Sequence, residues 1–295
     1  MLIQSLLFAV SCVAQTAIEP AHAGNTVFNQ VLKSGLDAAG TPVKLPPPRF
    51  FDGQTPEAQQ SQLVEIAGSK RAADDMLRDS VTAPFIIRVN DSKAPGATVR
   101  AVDLWFVIHG DLKQVDPLKE ANRADQKDVE VANMWFQTRL LPVTELASAG
   151  IKPQSSDAGA SDWYVHVHAK LLDRIDFEVT NHVVASQSAE SVLIASRTEP
   201  SFDKPGPIRN AWKTIERAGS AATPAPARPY SGGASYTKIS RAAISPGALI
   251  VEMHMAFVEP TEWFDGAPIL RSKFSVAAQD QIRALRRELT KKRAH

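Results

Sequence analysis

Cysteine is nearly missing. The 295 residues hold a single one, Cys12, close to the N-terminus. The body of the chain therefore has no thiol to serve as nucleophile, soft metal ligand or half of a disulfide. An excess of either charge is missing too, with 33 lysines and arginines against 32 aspartates and glutamates. Overall charge gives no reason to expect nucleic acid or acidic lipid as a partner. Familiar catalytic strings are also absent: there is no His-Glu-x-x-His run, no Gly-x-Ser-x-Gly elbow and no complete phosphate-binding loop. Ser231-Gly232-Gly233 lacks the Lys-Ser or Lys-Thr that would make it one, and reads as a turn. The five tryptophans, at 105, 135, 163, 212 and 263, share no repeating context and read as core or rim anchors.

What the N-terminus does have is an uncharged, mostly apolar stretch from Leu2 to Ala17, then Pro20 and the small-x-small sequence Ala21-His22-Ala23. This matches a secretory signal peptide of residues 1–23 with Gly24 as the first mature residue, although no basic residue precedes the apolar stretch. Gln4, Gln15 and Glu19 interrupt it, so it is too short and too polar to read as a membrane span, and no span is expected in the mature chain. Ala9-Val10-Ser11-Cys12 loosely resembles a lipoprotein processing box, which leaves acylation of Cys12 as the rival. Either way the expected location is periplasmic or extracellular. Cleavage would leave 272 residues, enough to bury a substantial core.

Residues 24–80 read as a helical and proline-rich N-terminal region. Val27, Phe28, Val31 and Leu32 have helical spacing, and Pro42, Pro46-Pro47-Pro48, Gly53 and Pro56 mark an extended connector. Thr55-Pro56 opens a helix with Leu63 and Ile66 on its apolar side, and a second short helix through Ala73 and Met76 follows.

From residue 81 to 295 the pattern is that of an antiparallel β-rich domain with a C-terminal helix. Val102, Leu104, Phe106 and Ile108 alternate with Asp103, Trp105, Val107 and His109. Trp163, Val165, Val167, Ala169 and Leu171 likewise oppose Tyr164, His166, His168 and Lys170, and Leu249 to Phe257 alternate in the same way. Strands are also expected over 84–89, 134–143, 175–185, 189–197 and 236–243. Residues 147–162 read as a loop, and 218–234, rich in Ala, Pro, Gly and Ser, as a mobile insertion. A final helix starting near Ser275 carries Ala278, Ile282, Leu285 and Leu289 as its stripe. Its basic end, including Arg283, Arg286 and Arg293, suits the helix dipole. Strands in succession with helices at the ends give an α+β, mainly β fold: a strongly curved antiparallel sheet or partly closed barrel packed against the C-terminal helix. In form this resembles helix-grip and lipocalin-like binding folds, which implies a pocket but names no ligand.

The residues that invite chemistry are histidines on polar strand faces. His166 and His168, two apart, project from one side of a strand, and Glu252 and His254 repeat the spacing later, with Asp103 and His109 on an earlier strand. A curled sheet would be able to bring such pairs around a metal with an open position for water. The simpler reading, preferred here, is a hydrogen-bonded polar face, and no cofactor is expected. The function expected is an exported binding or envelope-associated structural protein whose partner is a small apolar molecule or an envelope component. An exported hydrolase, metal-dependent or not, is the alternative, so enzyme status stays open.

Overall fold

The computed structural model describes residues 19–38, 40–125, 127–152, 160–218 and 221–293. Helix α1 (Thr26–Lys33) leads to a small hairpin of β1 (Leu36–Ala38) and β2 (Thr41–Val43), then to α2 (Pro56–Ala67) and α3 (Lys70–Met76). Next come β3 (Ile86–Ala94), β4 (Ala97–His109), α4 (Pro117–Ala124), β5 (Asp128–Val131), β6 (Met134–Leu140) and α5 (Val143–Ser148). The long strands β7 (Ala160–Leu171), β8 (Ile175–Gln187) and β9 (Ser191–Thr198) precede β10 (Ala211–Ala218), β11 (Ala221–Pro224) and β12 (Arg228–Pro229). The chain closes with β13 (Gly233–Arg241), β14 (Ala248–Pro260) and α6 (Ile269–Arg293).

The main sheet runs in the order β3-β4-β14-β13-β9-β8-β7-β6-β5, with antiparallel neighbours. It is curved but not closed, and it packs against the C-terminal helix, as the alternation of the sequence requires. Strand β8 has two partners along one edge: Asn181–Gln187 pair with β9, and Ile175–Glu178 pair with β10. Between them residues 199–210 leave the sheet. Asn210, 2% exposed, staples that excursion. Its side-chain carbonyl accepts from Thr180 N at 2.8 Å, and its amide donates to Glu199 O at 2.9 Å and Asp203 Oδ1 at 2.6 Å.

Each face of the sheet buries a different cover. The outer face meets α1, α2 and α3: Val27, Phe28 and Val31 pack on Val184, Ala195 and Tyr236, while Leu63, Ile66 and Met76 pack on Trp105, Val107 and Ile250. The inner face receives α6, whose Ile282, Ala278 and Leu289 lie against Leu104, Phe106, Leu249 and Val251. Each large apolar side chain buried in this way contributes roughly 1.5–3 kcal/mol. The α2 start is the one its sequence dictates, since Thr55 Oγ1 accepts from Ala58 N at 3.3 Å with Pro56 in the first turn, and Gly68 at φ +83° ends it.

Three local expectations change, and strand pairing is found within a fourth segment. Helix α6 begins at Ile269 rather than near Ser275, because Pro268 directly precedes it and Leu270 and Phe274 extend the buried stripe. Residues 143–148, at the edge of the expected strand and loop, form α5, held by Leu146 against Tyr164 and Phe202. The proline-rich connector is more than a spacer. Its Leu45 and Phe50 are buried, and its backbone amides at Arg49 and Phe50 donate to the Glu252 carboxylate. Within 218–234, β11 and β12 both pair with β10, and Tyr230 is buried among aromatic rings. One anchored aromatic among small residues is hard to see in composition alone. Among the described residues, no helix is long and apolar enough to cross a membrane.

Candidate functional site

Below the first turns of α6 the inner face leaves a cavity of about 290 Å³. Small-molecule pockets begin near this size, at roughly 300 Å³. Its walls are mainly apolar, including Phe136, Val167, Met255, Phe257, Leu270 and Phe274. The strands supply these side chains because residues two apart share a face: Val167 and Leu171 from β7, Phe177 and Val179 from β8, Met255 and Phe257 from β14. Polar groups are few. Asn181, Ser196, Thr198 and Ser235 form a patch where β8, β9 and β13 lie side by side, with Asn181 opposite Thr198 and Ser196 opposite Ser235. Gly232, at φ +80°, passes so close to Thr198 that a Cβ there would lie 2.0 Å from its Oγ1, and Gly233 N donates to that oxygen at 2.9 Å. The far end is aromatic, with Trp263 stacked on Tyr230 at 5.4 Å and on Phe177 at 5.6 Å between ring centroids. Burial pushes the Tyr230 hydroxyl above its ordinary pKa. No lining side chain is charged at neutral pH.

No family model matches the chain, and no curated protein sequence matches it either. The crystal structure of human STARD10 is a structural likeness at 10% identity and a TM-score of 0.36, over 71% of this chain and 76% of that one. That is too distant to assign a family.

The histidines lie on the opposite face from the cavity. His254, 2% exposed, sits between two carboxylates, its Nδ1 donating to Asp103 Oδ1 at 2.5 Å and its Nε2 to Glu252 Oε1 at 3.0 Å. Burial works against its charge, but the two carboxylates facing its ring nitrogens win and raise its pKa above the ordinary histidine value. Glu252 also accepts from Trp105 Nε1 at 3.0 Å and from the two connector amides. His166 and His168 stand on β7, with β8, β9 and β13 between them and β14. At ~4.8 Å per strand that is roughly 19 Å, so the two histidine pairs do not converge. His168 Nε2 bonds Asp176 at 2.8 Å, and His166 Nδ1 lies 3.1 Å from Thr180 Oγ1, with Glu178 at 3.7 Å from its Nε2. Burial, then the Arg139 and His168 charges, push His166 down to about 4. His109 turns to the carbonyl of Leu77 instead.

Sequence reasoning missed a second buried network around Lys238, which is fully buried on β13. Its ammonium pairs with Glu19 and lies 3.6 Å from Asp52. Asp52 accepts from Ser188 Oγ and Ser191 Oγ, each at 2.6 Å, and Glu19 accepts from Asp52 N at 2.9 Å. His22, also fully buried, has Ser186 Oγ at 2.9 Å and Ser191 Oγ at 2.7 Å. Because Ser191 gives its proton to Asp52, His22 Nε2–H must be the donor to Ser191, leaving Nδ1 to accept from Ser186. Burial and the Lys238 charge push His22 down to about 4, consistent with this neutral tautomer. A serine that receives from histidine and donates to aspartate is wired the wrong way for a Ser-His-Asp nucleophile. Glu19, His22 and Asp52 do bring ligand-type atoms within 4.8 Å of one another, but the Lys238 ammonium already supplies the positive charge there. The sequence signal was the lone lysine in the alternating run of β13, on the side of buried Tyr236 and Ala234.

Proposed function

We propose that this protein binds a small apolar molecule in the cavity between α6 and the inner face of the sheet. The observation that carries the reading is the uncharged, largely aromatic and aliphatic lining around a space that can enclose a ligand. Tyr230 is the only titratable side chain on that lining, which suits holding a molecule better than converting one. Titration with N-phenyl-1-naphthylamine tests it. One saturable site per chain is expected, abolished by Ser196→Leu and unchanged by His166→Gln plus His168→Gln. Unsaturable binding, or binding indifferent to Ser196→Leu, would overturn the reading.

We also propose export, supported by the apolar stretch Leu2–Ala17. Because Glu19 and His22 are bonded into the outer network, a cut before Glu19 fits the packing better than one after Ala23. N-terminal sequencing of protein recovered from outside the producing cell's cytoplasm decides this: Gly24 as first residue would refute the earlier cut, and recovery only in the cytoplasm would refute export.

A further inference from the structure

A sheet face covered by a helix packs most easily with aliphatic side chains, and β9 and β13 supply them under α6 with Val192, Ile194 and Ile239. Two to four residues along, on the same face by register, stand Ser196, Thr198 and Ser235 instead, with Asn181 beside them on β8. They occupy the part of that face which lines the cavity. Thr198 is already in use: its Oγ1 accepts from Gly233 N at 2.9 Å and has Asn181 Oδ1 at 3.3 Å and Gly233 O at 3.2 Å to donate to. The Ser196 and Ser235 hydroxyls and the Asn181 amide nitrogen have no hydrogen-bond partner among the described residues, and each of the three residues is only half-buried. We propose that the molecule held in this cavity is an apolar alcohol whose hydroxyl sits on this patch. The inference rests on the binding function proposed above and adds the ligand's chemistry.

Ser196 and Ser235 stand directly opposite one another, so their Cβ atoms are roughly 4.5–5.5 Å apart. An oxygen between them accepts from one hydroxyl and donates to the other, and its second lone pair is left for the diagonally placed Asn181 amide. A hydroxyl has the donor and the two acceptor sites this takes, whereas a carbonyl or ether oxygen has no proton to give. A carboxylate would bring a charge for which no lining side chain offers a counter-ion. The rest of the molecule is apolar, because the lining away from the patch is Val179, Met255 and, four residues back along β8, Phe177. At ~3.3 Å per residue that ring is about 13 Å from Asn181, which sets the length of the body.

Probes of nearly equal shape separate this inference from the binding reading. 4-Biphenylmethanol carries a hydroxyl where 4-ethylbiphenyl has a methyl group, and 4-acetylbiphenyl carries an oxygen that only accepts. Calorimetric titration of the full chain is expected to give one site for the alcohol and the hydrocarbon. The alcohol is expected to bind more tightly, by roughly tenfold, than the partition of the two between water and alkane predicts. The ketone is expected to show a smaller advantage, and biphenyl-4-carboxylate none. In Ser196→Ala plus Ser235→Ala the advantage of the alcohol is expected to vanish; where that double variant does not fold, Ser235→Ala alone is expected to cut it by about threefold. If neither the alcohol nor the hydrocarbon saturates a site, the binding reading itself fails. If they bind and the alcohol has no advantage, keeps it in the alanine variants, or is matched by the ketone or the carboxylate, the cavity stands and the alcohol inference is overturned.

Discussion

The inner face of the sheet lines its cavity with few, neutral and small polar groups and keeps its buried ion pair, Arg100 with Glu259, beyond that lining; the outer face of the same strands buries Lys238, Glu252 and His254 in hydrogen-bonded networks that draw in His22. The contrast is sharpest on β14, where Met253, Met255 and Phe257 look inward while Glu252 and His254, their direct neighbours, look outward. A strand is indifferent to which side is apolar, so the difference lies in the covers. Over the cavity, helix α6 brings Leu270 and Phe274, which shed water and need no polar partner. The connector over the outer face brings unpaired backbone amides at Arg49 and Phe50, which only an acceptor such as Glu252 can satisfy. At Glu252, buried charge on the outer face is thus the answer to irregular backbone lying on a sheet, whereas the part of the inner face beneath the apolar side chains of α6 holds an uncharged cavity.

The largest effect that would sharpen this contrast is expected from Glu252→Leu, which strands His254 and two amides. Urea unfolding should show a loss of about 3–5 kcal/mol, against under ~1.5 kcal/mol for Met255→Leu three residues away on the inner side. Equal losses would break the comparison. Next, a chain starting at Gly24 leaves Lys238 buried without Glu19 and Ser191 without His22, and should be less stable by roughly 3 kcal/mol. Adding Lys238→Met to that shortened chain should recover part of the loss; a shortened chain that melts where the longer one does would show the network to be idle.

Acid should act through the outer face as well. His22 and His166 titrate near 4 when folded against 6.5 in an unfolded chain, so their contribution is present above pH 6.5 and is lost as pH falls from 6.5 towards 4. For His22 the full loss is on the order of 3 kcal/mol. His254 has the opposite sign. Its folded pKa is raised, so its contribution is complete below 6.5 and drains away as pH rises through the folded value. Unfolding free energies measured across pH 4–9 should show a maximum between these limbs, and His22→Gln should flatten the acid limb alone. The smallest effect on stability is expected from filling the cavity: Ser196→Leu should change it by about 1 kcal/mol or less yet remove probe binding.

Much of the sheet was legible because period-two alternation is dictated by burial, as in β4, β7 and β14, and Thr55-Pro56 and Gly68 wrote the limits of α2 into the chain. The cavity was legible only as a class of pocket, since its wall is assembled from β6 to β14 and α6, and alternation does not reveal which strands become neighbours. His166 and His168 do share a face, but spacing along one strand says nothing of the three strands that separate them from His254. The Lys238 network was hidden for a further reason: its parts come from residues 19 to 22, 52, 186 to 191 and 238, so no window of sequence contains it. Arg286 was legible only as part of a basic helix end suited to the dipole, whereas it is buried and donates to the backbone carbonyls of Ala83 and Val107.

The pairing of Glu19 with Lys238 spans 219 residues of sequence. A ribosome adding about 5–20 residues per second makes the lysine roughly 10–45 s after the glutamate. His22 waits for Ser191 across 169 residues in the same way. The earliest-made part of the described chain is therefore among the last to be tied down, and closing so wide a loop is entropically slow. Throughout that interval the N-terminal segment is an untethered thread, open to any factor that meets chains as they emerge, and the outer face it will cover stays unfinished.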